Sequence, residues 1–107
     1  MTIFQILSAG LVGIPVVYSH FKNDAEDLEP VTPPYVAYIG AGQDNFEADN
    51  TNYHNNNRYQ IEYYFTKKDE SLEAKIEKLL LDNGLLYEKS DDVWIDDEGV
   101  FVIYYNV

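Results

Sequence analysis

The sequence predicts an α+β fold: a single domain with one mixed or antiparallel sheet of about five strands and two flanking helices. At 107 residues, with 46% apolar and 15% aromatic residues, the chain can form one hydrophobic core. A strand pattern of period two over Arg58–Thr66 is followed directly by a helix pattern of period 3.6 over Leu72–Leu80. Further strand patterns lie on both sides of this pair. We therefore expect one domain over residues 1–107, with its helices packed on one face of the sheet.

The N-terminal apolar run predicts a short helix followed by a strand. Ile3, Leu7 and Leu11 share one helical face, and Pro15 ends the helix because proline lacks an amide donor. Residues 14–18 are rich in β-branched side chains, which favour a strand. The run has no basic segment before it and is too short to cross a bilayer, so we expect neither a targeting signal nor a membrane span.

The middle of the chain predicts one strand between two polar connections. Residues 23–34 are acidic and aperiodic, which is typical of an exposed connection. Tyr35–Ile39 follows as a strand, and we expect it to pass into a loop at Gly40–Gly42.

A long loop or arm is expected next. Six asparagines lie between Gln43 and Asn57, and their side-chain amides compete for backbone hydrogen bonds. We interpret residues 43–57 as a flexible loop or arm, with a short strand around Phe46–Tyr53 as the alternative.

The strand Arg58–Thr66 is predicted to have two unlike faces. Its core face consists of Tyr59, Ile61, Tyr63 and Phe65. The alternate residues are expected to point away from the core: Arg58, Gln60, Glu62 and Tyr64. Tyr64 is apolar enough that we expect a helix or a partner to cover it.

The second helix has the clearest boundaries. Asp69 stands at its N-cap and Gly84 just beyond its C-terminus. Its buried stripe is predicted to consist of Leu72, Ile76, Leu79 and Leu80. Its outward residues are predicted to be Glu73, Lys75, Glu77 and Lys78.

The C-terminal segment predicts two or three more strands. Leu85–Glu88 begins one, and Val93–Ile95 is either a strand or the arm of a hairpin. Val100–Tyr105 is apolar throughout, which is typical of a strand that is central or covered on both faces.

Residues suited to catalysis or metal binding do not form a recognisable motif. The two histidines, His20 and His54, have no carboxylate at ligand spacing, and the chain has no cysteine. Five carboxylates between Asp91 and Glu98 lack the spacing of a calcium loop, and we interpret them as a solvated turn. Gly40–Gly42 lacks the third glycine of a dinucleotide-binding loop. We therefore expect no enzymatic activity, no cofactor and no metal.

The charge balance restricts the partners. A formal charge of −12 repels phosphate backbones and anionic lipids, so neither specific nucleic-acid binding nor membrane association is expected. The same charge suits solubility, a basic protein partner, or a surface past which DNA slides.

A series of short segments resembles the tail-terminator and tail-completion proteins of long-tailed (siphovirus-type) bacteriophages. The segments cover nearly the whole chain: Gly13–Val16, Pro34–Tyr38, Phe46–Asn50, Tyr59–Tyr63, Lys67–Asp69 and Val102–Tyr105. The resemblance implies a structural virion protein that caps the tail tube as a ring, commonly a hexamer. It also implies contacts with the tail tube protein and the head connector protein, assembly in the host cytoplasm, and a final location in the virion tail. A head-completion or connector subunit is the related alternative.

Closure of such a ring requires two different surface patches on each subunit to meet. We expect the interface to combine the asparagine-rich arm with the outward face of the Arg58–Thr66 strand. Its candidate residues are Asn45, Phe46, Asp49, Asn50, Arg58, Glu62 and Tyr64. An alternative of another class is an acidic monomeric module that binds a basic host protein.

Overall fold

The computed structural model describes residues 2–18, 32–44 and 56–107. Each of the two helices is followed by three strands, an order that fits one α+β domain. They are α1 (Ile3–Gly10), β1 (Val16–Tyr18), β2 (Tyr35–Asp44), β3 (Asn56–Phe65), α2 (Glu70–Asp82), β4 (Glu88–Lys89), β5 (Val93–Ile95) and β6 (Val100–Asn106).

All six strands form one mixed sheet in the order β1-β2-β3-β6-β4, and β5 also pairs with β6. β1 is parallel to β2, and every other pairing is antiparallel. The predicted fold class is confirmed, with six strands in place of about five. The additional strand arises because β4 and β5 share one side of β6, with Ser90 between them. The Ser90 hydroxyl accepts a hydrogen bond from the Tyr104 amide at 2.9 Å.

The first helix forms where the sequence predicts it. Thr2 caps it, and the Thr2 and Gln5 side chains each accept a hydrogen bond from the other residue's backbone amide. A Cβ atom on Gly10 would lie 2.6 Å from both δ carbons of Leu79. The glycine thus permits the close contact between α1 and α2 that seats both helices on one face of the sheet.

The second helix also has its predicted ends. Asp69 accepts a hydrogen bond from the Leu72 amide at 3.2 Å, as an N-cap residue does. At the other end Gly84 has a φ of +76°, and its amide bonds the Leu81 carbonyl. The next amide, that of Leu85, bonds the Leu80 carbonyl at 2.9 Å. These two bonds form a Schellman motif. It places residues 85–87 outside any strand, so the strand predicted over Leu85–Glu88 is reduced to β4.

The main core lies between the sheet and the two helices. Leu7 and Leu11 from the N-terminal segment and Ile76 and Leu80 from α2 are buried there. They pack against alternate residues of the central strands: Val36, Ile61, Tyr63, Phe65, Ile103 and Tyr105. Since β6 has neighbours on both sides, the prediction of a central C-terminal strand is confirmed.

The opposite face of the sheet carries a second apolar cluster, which the sequence analysis did not predict. Its buried residues are Ala37, Tyr64, Val100 and Val102. Tyr64 was expected to be covered by a helix or a partner, but residues of the neighbouring strands cover it instead, with Tyr35 stacked on its ring.

β2 continues further than the sequence predicts. Its pairing with β3 shifts register between Gly40 and Gln43 and then resumes, with Gln43 opposite Asn57 and Asp44 opposite Asn56. Gly40–Gly42 is therefore part of a strand with an irregularity rather than the start of a loop. Both ends of the predicted arm over 43–57 belong to strands, and residues 45–55, including the alternative strand, lie outside the described residues.

Candidate assembly surfaces

The structure describes three of the seven residues predicted to form an interface, and these three do not share one exposed surface. Asn45, Phe46, Asp49 and Asn50 lie outside the described residues. Arg58 is exposed near the start of β3. The remaining two, Glu62 and Tyr64, are buried within the subunit.

Burial of Glu62 and Tyr64 has a clear physical cause. The Tyr64 ring stacks on Tyr35 of β2, with ring centroids 4.8 Å apart, and lies opposite Val102 of β6. Its hydroxyl donates to Glu62 Oε1 at 2.8 Å. Burial and this hydrogen bond raise the pKa of Tyr64 well above its ordinary value, so the phenol keeps its proton. Tyr64 belongs to the second apolar cluster and Glu62 is buried beside it, so neither residue is exposed to a partner.

A second correction concerns Glu73, which was predicted to point outward from α2. Only 4% of the residue is exposed, because lysines from two other segments close over it. Lys68 Nζ lies 2.8 Å from Glu73 Oε2, and Lys89 Nζ lies 3.1 Å from Glu73 Oε1. Lys89 also reaches Glu77 Oε2 at 2.7 Å, and this oxygen accepts a further bond from the Tyr105 hydroxyl at 2.9 Å.

This ionic cluster ties α2 to the sheet and is not arranged for proton transfer. Burial alone would raise the pKa of Glu77, but hydrogen bonds from Lys89 and Tyr105 outweigh it and lower that pKa. Burial likewise opposes a charged Lys89, yet its two carboxylate partners raise the pKa of its amine. Glu77 and Lys89 are therefore held in their ordinary charged forms, whereas a general acid or base needs a pKa near neutrality.

A shallow depression beside Pro34 contains one buried hydroxyl. It is lined by residues of β3 and of the turn that leads into α2, including Tyr63, Lys67 and Asp69. The Tyr63 hydroxyl has no hydrogen-bond partner among the described residues, and burial, with Asp69 and Glu73 nearby, raises its pKa to about 12. Asp69 is occupied as a helix cap. The depression thus offers a protonated phenol beside a carboxylate that is already used, which is not an acid–base pair.

Metal ligands do not cluster in the described part of the chain: no group of three or more His, Asp or Glu side chains is close enough to hold an ion. His20 and His54 lie outside that part. The carboxylates between Asp91 and Glu98 lie in the exposed connection before β5 and in the β5–β6 turn, which confirms the solvated-turn interpretation.

Charge is distributed very unevenly over the sheet. None of the 19 acidic and 7 basic residues falls within 2–18 or 32–43, the segments that supply α1, β1 and nearly all of β2. We call this part of the molecule the uncharged flank. The charged flank comprises β3, α2, β4, β5 and β6. The aromatic residues of the uncharged flank form a surface group in which Tyr38 contacts Tyr18 and Phe4, at centroid distances of 5.4 and 6.1 Å.

The outer strand of the uncharged flank, β1, carries an exposed aromatic side chain. Tyr18 is 66% exposed at the end of the strand, and Val12, in the turn before it, is 84% exposed. No strand in the described residues pairs with the outer side of β1. Within the described residues, this edge of the sheet is thus unpaired, apolar and without charge.

The opposite edge of the sheet carries the only tryptophan. Trp94 of β5 is 51% exposed and packs against Phe101 of β6, with ring centroids 4.8 Å apart. Phe101 in turn stacks on Phe65 of β3, so a row of rings runs from the core to this edge. The Trp94 indole donates to Asp96 Oδ1 at 3.3 Å. In contrast to the β1 edge, this one is surrounded by carboxylates.

Sequence reasoning did not identify either edge as a surface of interest. One signal was visible, since a run of 17 uncharged residues over 2–18 is unusual in a chain with 24% charged residues. That β1 and β5 lie at opposite ends of one sheet became evident only from the strand order.

Comparison of the chain with protein-family models, with curated proteins and with solved structures finds no match. Among the described residues, neither helix has the length and apolar character needed to cross a bilayer.

Proposed function

We propose that this protein is a structural virion subunit of the tail-terminator type. It caps the tail tube of a long-tailed phage as a ring and forms the tail side of the head-to-tail interface. The observation that carries this proposal is the presence of two unlike apolar surfaces at opposite edges of one sheet. One surrounds Tyr18 on β1, and the other surrounds Trp94 on β5.

Two unlike surfaces are what a ring requires. In a cyclic assembly of more than two subunits, each subunit presents one patch to its left neighbour and another to its right neighbour. Exposed aromatic side chains are favoured at such contacts because they bury a large area with few rotatable bonds.

The acidic charge supports the same function. A formal charge of −12 on each subunit gives the ring a negative field, and DNA can then pass through its lumen with little adhesion. The segments that resemble tail terminators add support, because five of the six lie on described strands or on the turns beside them.

Electron microscopy of tails assembled without this protein tests the proposal. Removal of the gene from the phage or prophage that encodes it should give tubes of uncontrolled, excessive length, because nothing ends their polymerisation. Restoration of the gene on a plasmid is the control. Tails of normal length that lack heads would instead indicate the head-completion or connector role. Normal, fully joined particles would contradict both.

A second candidate is an acidic monomeric module that captures a basic host protein. The observation in its favour is the set of exposed carboxylates around β5, which resembles a run of phosphates in charge. A strict monomer at all concentrations, together with capture of a nucleic-acid-binding host protein that DNA displaces, would favour it over the ring.

A further inference from the structure

We infer that neighbouring subunits join edge to edge, with β5 of one copy pairing to β1 of the next so that the sheet continues across the interface. This inference rests on the proposed ring and specifies its contact. Both strands end the sheet of the described residues and leave one row of backbone hydrogen-bonding groups unpaired. Addition of a strand to such an edge is a common way to join two chains.

The two edge strands match each other in length and composition. β1 has the sequence Val-Val-Tyr and β5 the sequence Val-Trp-Ile, and each is three residues long. Both are composed of β-branched and aromatic residues, which favour strand pairing. Strands this short cannot hold a partner by themselves, and the aromatic side chains supply the additional buried area.

Strand directions fix the polarity of the contact. β1 runs parallel to β2, β2 and β6 are both antiparallel to β3, and β6 is antiparallel to β5. β5 therefore runs opposite to β1 within one subunit. If the sheet continues around an axis that is roughly parallel to the strands, β5 pairs in antiparallel fashion with β1 of the neighbour.

The two faces of the sheet also remain continuous. Tyr18 is aligned with Tyr38, and Trp94 with Phe101, both of which pack on the helix-covered core. Because side chains alternate along a strand, a register that keeps the faces continuous places Trp94 opposite either Tyr18 or Val16. Trp94 contacts Tyr18 directly in the first register. In the second it contacts Val16, the next residue on the same face, and has Tyr18 as its diagonal neighbour.

Charge disfavours one of the two symmetric pairings, that of β5 with β5. Five exposed carboxylates flank β5, so two β5 edges would bring two such sets together: Asp91, Asp92, Asp96, Asp97 and Glu98. β1 and its surroundings in the described residues carry no charge and can approach the acidic edge without ionic repulsion. The arrangement disfavours a β5–β5 dimer and favours a head-to-tail ring.

Disulfide cross-linking tests the contact, because the chain has no cysteine of its own. Val17→Cys is combined first with Val93→Cys and then with Ile95→Cys, since the two face-matched registers place one or the other opposite Val17. Tyr18 and Trp94 stay intact in these variants. Oxidation is carried out on the purified protein and on assembled tails that carry the variant.

One of the two cysteine pairs should give a covalent ladder that ends in a closed ring. The single-cysteine variants should give no dimers alone and only a heterodimer when mixed. The matched control combines Val12→Cys with Leu86→Cys. These positions are 84% and 82% exposed but lie outside both edge strands. If cross-links arose only from random collision, this control pair would therefore react faster than the edge-strand pairs. A faster control, or dimers from a single-cysteine variant, would overturn the inference.

Complementation supplies a second measurement. Tyr18→Asp disables one edge and Trp94→Asp the other, so each variant alone should lose every species above the monomer. A mixture of the two retains one good edge of each kind and should form dimers and nothing larger. Circular dichroism checks that both variants fold.

These experiments distinguish failure of the β1–β5 contact from failure of the proposed tail-terminator role. Rings that form without the expected cross-links in protein and tails would disprove the β1–β5 contact and leave the tail-terminator role standing. Tails of normal length without the protein would disprove the role itself, whatever the cross-links show.

Discussion

The uncharged flank and the charged flank of the sheet are stabilised in different ways. On the uncharged flank, α1 is held by buried aliphatic side chains such as Leu7, which is fully enclosed. On the charged flank, α2 has a similar apolar stripe, and a buried carboxylate, Glu73, is paired with Lys68 and Lys89 in addition. Among the described residues, ionic contacts are thus concentrated where α2 is held on the sheet, whereas the β1 edge carries no charge. An acidic neighbour can approach that edge at little electrostatic cost.

The largest expected effect is the loss of a buried side chain from the uncharged flank. Leu7→Ala should lower the free energy of unfolding by about 2–5 kcal/mol, because it removes transfer energy and leaves a cavity. Urea denaturation measures it, and the loss should not depend on salt. Phe4→Ala, on the exposed side of the same helix, is the control and should cost less than about 1 kcal/mol. Equal losses would show that α1 is not seated as described.

The next largest expected effect is a loss of stability at alkaline pH, and it arises on the charged flank. The pKa of Tyr63 is about 12 in the folded protein, against an ordinary value of 10.0. Between these values the unfolded chain releases the phenolic proton while the folded protein keeps it. The stabilisation is complete below pH 10 and is lost as the pH rises toward 12, at about 1.4 kcal/mol per pH unit. Urea denaturation at a series of pH values measures the slope. Tyr63→Phe should make the slope shallower by about 1.4 kcal/mol per pH unit without abolishing it, because burial also raises the pKa of Tyr64 and of Tyr105. An unchanged slope would exclude Tyr63 as a source.

Removal of the buried carboxylate should have an intermediate effect that depends on salt. Glu73→Ala leaves Lys68 and Lys89 without their shared partner, but both lysines reach solvent. We therefore expect a loss of only about 1–2 kcal/mol. The loss should shrink as salt is added, unlike that of Leu7→Ala. Asp82→Ala removes an exposed pair with Lys78 on the same helix and should cost below about 0.5 kcal/mol. If both losses are similar, the cluster does not stabilise the flank.

The smallest expected effect is the loss of a single tyrosine hydroxyl. It can be compared at Tyr63 and Tyr64, which are adjacent and lie on opposite faces of β3. Tyr63→Phe removes a hydroxyl that has no partner in the described part of the chain, and it should change the stability near pH 7 by less than about 0.5 kcal/mol in either direction. Tyr64→Phe removes the donor to Glu62 and should cost about 1–2 kcal/mol. Thermal unfolding of the two variants side by side gives the difference. A reversed order would contradict the hydrogen-bond assignments.

Local signals in the sequence predicted the helices and most of the strands. Asp69 and Gly84 determine the ends of α2 through caps that depend only on nearby residues. Burial was harder to predict, because it depends on residues that are distant in sequence. Nothing near Glu73 indicates that Lys89 will fold over it, and nothing near Tyr64 indicates that Tyr35 and Val102 will cover it.

The candidate surfaces show the same limit. An uncharged N-terminal segment and an exposed tryptophan between carboxylates can both be read from the sequence. Their positions at opposite edges of one sheet depend on strand order, because β6 lies between β3 and β4. Such an order is set by long-range packing and not by any local pattern.

The central claim is that the protein acts by sideways assembly into a closed ring. Native mass spectrometry of the wild-type protein bound to tail tubes and then released by mild dissociation measures the number of subunits directly. The account predicts one dominant closed species at six times the 12.4 kDa subunit mass, absent from the Tyr18→Asp and Trp94→Asp variants. Release of single subunits alone, at every concentration and from every tail preparation, would contradict it.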